Sequence, residues 1–109
     1  MKTAQARYLD RVLDQYLALP GTLRRVLRQD RRTALALYRR GVRLDVVENA
    51  FVLALARRTL RSDADRLEPI RCLQYFLPVV DELLTEPPLP EYLDYLKNRL
   101  VRAGVLPSA

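Results

Sequence analysis

Apolar positions recur with helical period along most of the chain. Tyr8, Leu9, Val12, Leu13, Tyr16 and Leu17 form one stripe and predict an amphipathic helix from about Thr3 to Leu19. Thr3 suits the N-cap, where a hydroxyl oxygen accepts from the first free amides. Pro20-Gly21 stops the helix. In the next block, TLRRVLRQDRRTALALYRRG (22–41), Leu23, Val26, Leu27, Ala34, Leu37 and Tyr38 share one face, and Arg24, Arg25, Arg28, Arg31, Arg32 and Arg39 take most of the opposite one. One continuous helix would put Asp30 in the apolar face, and burying a lone carboxylate is costly. The pattern therefore predicts a short helical turn at 22–28 and a separate helix from Asp30 to Arg40. Asp30 is its expected N-cap, and Gly41 ends it by taking a positive φ.

A third helix is predicted from Asp45 to Arg61, where Asp45 and Glu48 have capping-box spacing. Val47, Ala50, Phe51, Ala54 and Leu55 make one face, yet Val46, Val52 and Leu53 are apolar too. A helix apolar nearly all round is one surrounded by others. SDADRLEP (62–69) reads as a polar connector. IRCLQYFLPVVDELLTE (70–86) reads as helix that kinks or breaks at Pro78. EPPLP (86–90) is a stiff linker. The last helix, EYLDYLKNRLVRAG, has Pro90 near its start, Gly104 at its stop and Tyr92, Leu93, Leu96 and Leu100 as its buried stripe. The fold class expected is all-α, a compact bundle of five helices, or six if Pro78 separates two, around a central apolar helix near 45–61. One helical-bundle domain spans 1–109.

Composition agrees and removes several function classes. Of 109 residues, 50% are apolar, enough for one core, and only three are Gly. A single Cys, Cys72, excludes an internal disulfide and a Cys-rich metal site. It is expected to be a small buried hydrophobe. The absence of His removes the commonest general base and metal ligand. The start, MKTAQARYLDRVL, has no apolar signal-peptide core. The longest apolar run, Ala50 to Ala56, is far shorter than the roughly 20 residues that cross a bilayer. A cytoplasmic protein with no membrane association is expected. The carboxylate pairs Asp81-Glu82 and Asp63/Asp65 are poor metal sites: neighbours on a helix point apart, and loop carboxylates are solvated. No catalytic residue, metal or cofactor is expected.

Charge changes the picture most. The net +6 is uneven: residues 1–61 hold 14 Lys/Arg against 5 Asp/Glu, and residues 62–109 hold 5 against 8. The first half points to an anionic partner. The densest cluster is Arg24, Arg25, Arg28, Arg31, Arg32, Arg39, Arg40 and Arg43, which Arg57, Arg58 and Arg61 extend if the third helix ends nearby. Arginine forks fit phosphate oxygens bidentately, so these eleven residues are the candidate nucleic-acid contacts. Two other uses of them stay open. One is a solvated surface of the kind an Arg-rich, Leu/Ala-rich composition produces. The other is pairing with Asp81, Glu82, Glu86 and Glu91 of the acidic second half, within one chain or between copies. Tyr75-Phe76, Tyr92 and Tyr95 could stack on bases, but such residues more often belong to the core or its edge. Tyr95, Arg99 and Arg102 also share a face, a weaker second strip.

The stretch ALYRRGVRLDVVENAFVLALA (36–56) has the helix, short turn and helix of the helix-turn-helix family. Its second helix, however, opens with Asp45 and Glu48, which would meet phosphates at close range, and then continues as an apolar rod. Two packed helices joined at a Gly cap are the expectation. The segments PIRCLQYFLPVVDELL, RRGVRLDVVENA and YLDYLKNRL together resemble small Leu/Arg-rich helical proteins of bacterial mobile elements and their replication or transposition machinery. The resemblance implies a bacterial accessory protein working beside nucleic acid. A basic small subunit of a CRISPR effector complex has similar length and charge. The function expected is thus a non-catalytic protein that holds the phosphate backbone. The alternative is a protein–protein adaptor or assembly subunit, with a partner or a second copy on the acidic half.

Overall fold

The Thr3 hydroxyl oxygen accepts from the Ala6 amide at 3.1 Å and starts helix α1, Ala4–Ala18. The computed structural model describes residues 2–61 and 67–107. Within them follow α2 (Arg28–Arg39), α3 (Leu44–Thr59), a 3₁₀ turn (Leu73–Phe76), α4 (Leu77–Thr85) and α5 (Pro90–Arg102). The protein is an all-α bundle of five helices. The five residues 62–66 of the expected connector lie outside the described residues, as does the Asp63/Asp65 pair.

The central helix is where the apolar pattern places it. α3 buries Val47, Ala50, Phe51 and all of Leu53 to Ala56, and it packs against α1, α4, α5 and the 3₁₀ turn. One continuous core joins all five helices. Its middle is aromatic: the Phe76 ring meets Phe51 edge to face at 4.9 Å and Tyr16 at 6.2 Å, the geometry ring quadrupoles favour. α2 lies outside this arrangement and packs on α1 and the 3₁₀ turn. It ends in a Schellman motif, with Gly41 at φ +74°, its amide on Tyr38 O at 3.0 Å and the Val42 amide on Leu37 O at 3.1 Å. The Tyr8 hydroxyl donates to Val42 O and ties this turn to α1.

Four expectations need correction. Residues 22–28 form no helical turn. Their amides pair across the chain instead, with Leu23 N on Ile70 O and Ile70 N on Gly21 O, and Arg24 sits at φ +57°, which no helical turn contains. Asp30 is not the N-cap of α2. The cap is Leu27, the helix starts at Arg28, and Asp30 is completely buried in its first turn. The burial is tolerated because each carboxylate oxygen has an amide donor: Leu27 N at 2.8 Å on one, Leu73 N at 2.8 Å on the other. Asp45 does not cap α3: the N-cap is Arg43, without a side-chain bond, and the helix starts at Leu44. The break expected at Pro78 is present, since the 3₁₀ turn ends at Phe76 and α4 begins at Leu77 with Pro78 in its first turn, where a missing N–H costs nothing. Tyr92 is not in the buried stripe of α5, which consists of Leu93, Leu96 and Leu100.

Candidate nucleic-acid interface

The eleven candidate arginines separate by what holds them. Arg40 donates to Asp81 at 2.9 Å, linking α2 to α4. Arg57 grips Glu82 with two parallel bonds, 2.5 and 2.7 Å, linking α3 to α4. These hydrogen bonds hold the Glu82 carboxyl below its ordinary pKa. Arg43 pairs with Asp45 at 3.1 Å. Arg58 is half-buried, donates to the Glu68 carbonyl and lies over the Tyr75 ring, so it fastens the chain around residue 68 to α3. Arg61 is exposed and already has a partner. The pairing of Asp81 and Glu82 with basic residues was one of the open readings, and it accounts for Arg40 and Arg57. Glu86 and Glu91 are exposed.

The other six are Arg24, Arg25, Arg28, Arg31, Arg32 and Arg39. All are exposed. Their side chains have no ion pair, hydrogen bond or ring contact among the described residues. α2 positions four of them. Its inner face is set by Asp30, Thr33, Ala34 and Leu37, which turns Arg28, Arg32 and Arg39 outward along one line, at i, i+4 and i+11, with Arg31 beside it. At 1.5 Å per residue the line is about 16 Å long. Arg24 and Arg25 lie on the exposed, non-helical segment that precedes α2.

The amino end of a helix carries partial positive charge, and acids in the first turn offset it. In α2 that acid is the buried Asp30, and Arg39 in the last turn suits the opposite end. The outward side of the first turn nonetheless opens with a cation, Arg28. Arg28 and Arg32 are like charges one turn apart, which costs a few tenths of a kcal/mol. Six cations thus sit within 16 residues of the sequence, and none of them is ion-paired among the described residues.

α3, the helix that would enter a groove, packs against α1, α4, α5 and the 3₁₀ turn. Its first turns present the exposed Asp45 and the half-buried Glu48, which faces Arg11 at 3.8 Å, so phosphates there would meet carboxylates. The exposed aromatic and basic strip of α5 stands away from α2. Tyr95 is 52% exposed on α5, where Arg99 lies over its ring, and it stacks with Tyr92 at 6.4 Å. Tyr38, inside the basic cluster, packs edge to face on Tyr8 at 5.2 Å rather than facing outward. Phe76 is core and Tyr75 is exposed. Cys72 is half-buried rather than fully buried. Among the described residues, no helix is long and apolar enough to cross a membrane, and no group of three or more His, Cys, Asp or Glu is placed to hold a metal ion. No protein-family model, curated protein or solved structure matches this chain.

Sequence reasoning found the basic cluster but not its division. The partners of Arg40 and Arg57 are 41 and 25 residues distant in the chain, and nothing in the local pattern marks them. It also missed a cleft beside α2, lined on one side by Gln29, Arg32 and Arg40 and on the other by Gln74 and Leu77. Gln29 and Gln74 carry no periodic or charge signal that would have singled them out.

Proposed function

We propose that the protein is a non-catalytic accessory protein that holds nucleic acid by its phosphate backbone, in a bacterial mobile-element, replication or defence setting. The observation that carries this reading is the set of six arginines without partners before and along α2, while neighbouring Arg40 and Arg57 are paired with α4. A polyanion laid along α2 would relieve the repulsion among these cations. Each phosphate contacted releases counterions, so binding is expected to be strongly salt-dependent and to show little sequence preference.

The test is fluorescence anisotropy with labelled single- and double-stranded DNA and RNA, at low and at physiological salt, with wild type beside Arg28/Arg31/Arg32→Ala. Salt-sensitive binding that the variant loses supports the reading. Absence of binding at low salt overturns it.

A second reading, an adaptor or assembly subunit, is favoured by a different surface. Leu84, Leu89 (72% exposed), Tyr92 and Tyr95 leave apolar area open around the α4–α5 corner, beside Glu86 and Glu91. Clustered exposed apolar residues with a charged rim suit a protein contact. The partner would be basic at its edge, and another copy's α2 face has that character. Concentration-dependent self-association lost in Glu86/Glu91→Lys would support a second copy as the occupant.

A further inference from the structure

The cleft beside α2 has a volume of about 430 Å³, within the range of small-molecule sites. Its apolar lining is the exposed Ala36 and the half-buried Leu77, with Leu37 buried among the residues that line it. Around that lining stand two guanidinium groups, Arg32 and Arg40, and two carboxamides, Gln29 and Gln74. Arg32 belongs to the unpaired set, and Arg40 has one of its N–H groups on Asp81. Both glutamines are exposed, and neither side chain has a partner among the described residues.

We infer that this cleft receives one unstacked nucleotide of a single strand, its phosphate on Arg32 and Arg40 and its base over Ala36 and Leu77 with its edge on the Gln29 and Gln74 amides. The inference rests on the backbone-binding reading and names the substrate class for it. A carboxamide offers a donor and an acceptor side by side, the pattern that matches a base edge. An apolar lining suits the face of a base, whatever its identity. Arg32 is shared between the α2 line and the cleft, so a strand following the line reaches the cleft without leaving it. A duplex hides its base edges and would have to extrude a nucleotide at a cost of a few kcal/mol, so an unpaired strand is preferred.

The experiment compares a short oligothymidylate with an abasic strand of the same length, measured by anisotropy against wild type, Gln29/Gln74→Ala and Arg39→Ala. Arg39 lies on the line but not in the cleft. Wild type is expected to bind oligothymidylate about tenfold more tightly than the abasic strand. Gln29/Gln74→Ala is expected to lose most of that preference, and Arg39→Ala to weaken both while keeping it. In nitrogen-15 spectra the two glutamine side-chain amides should shift with oligothymidylate and not with the abasic strand. Equal wild-type affinity for both strands, or a preference untouched by Gln29/Gln74→Ala, overturns the cleft assignment and leaves backbone binding standing. Failure of both strands to bind at low salt removes both.

Discussion

Asp30 and Tyr16 are buried polar side chains with opposite energetics. Asp30 is 0% exposed, and its two oxygens satisfy the amides of Leu27, at the start of α2, and of Leu73, 43 residues along from Asp30 at the start of the 3₁₀ turn. Asp30→Ala would leave both amides without acceptors and is expected to cost about 2–4 kcal/mol in denaturant unfolding. Asp30→Asn should cost less, since one oxygen remains. The Tyr16 hydroxyl is buried without a hydrogen-bond partner. Its removal in Tyr16→Phe costs no bond and is expected to leave stability unchanged or raise it by about 1 kcal/mol; a clear drop in Tm would contradict the structure at this position. The same hydroxyl sets a pH dependence. Burial, followed by the charge of Asp30 and then Cys72, pushes the Tyr16 phenol up to about 12, whereas in the unfolded chain it ionises near 10. Between those values the unfolded state loses a proton that the folded state keeps. Stability therefore falls as pH rises from about 10 towards 12, and Tyr16→Phe should flatten that fall in a series of urea melts.

At the scale of elements, α2 is the helix whose outer face sets like charges, Arg28 and Arg32, against one another. The helix period, the Thr3 cap and the Gly41 and Gly104 stops were legible along the chain because they depend on neighbours within a turn. The start of α2 was not, because what makes Asp30 acceptable inside is the Leu73 amide, brought there by tertiary folding. Tyr92 was misplaced for a related reason: it lies next to the apolar stripe of α5, and only the packing of α5 on α3 decides which side is covered. The conflict in α2 gives a prediction with two readouts. Arg28→Glu replaces a cation by an anion in the first turn, where the helix dipole favours negative charge, and should stabilise the fold by about 0.3–1 kcal/mol. The same change should weaken oligonucleotide binding. A helix selected for stability alone would give the first result without the second.

Over the whole molecule, charge is divided by engagement rather than by position in the chain. The basic first half and acidic second half were visible in the sequence, but they meet at only part of their length. α4 takes up Arg40 and Arg57 through Asp81 and Glu82, while the six arginines before and along α2 stay open to solvent. The candidate site was therefore legible as a cluster and illegible as a subset, since each exclusion depends on an ion pair across the fold. The central claim is that these unpaired arginines, and not net charge, hold nucleic acid. The most direct measurement sets two charge-matched variants against each other in oligonucleotide titrations across a range of salt. Arg28/Arg32/Arg39→Ala removes open arginines; Arg11/Arg43/Arg57→Ala removes the same charge from arginines that face Glu48, Asp45 and Glu82. The first should lower affinity by about a hundredfold and flatten the salt slope by about 2–3, and the second should stay within about threefold of wild type. Equal losses in the two variants, or no binding by wild type at low salt, would contradict the claim.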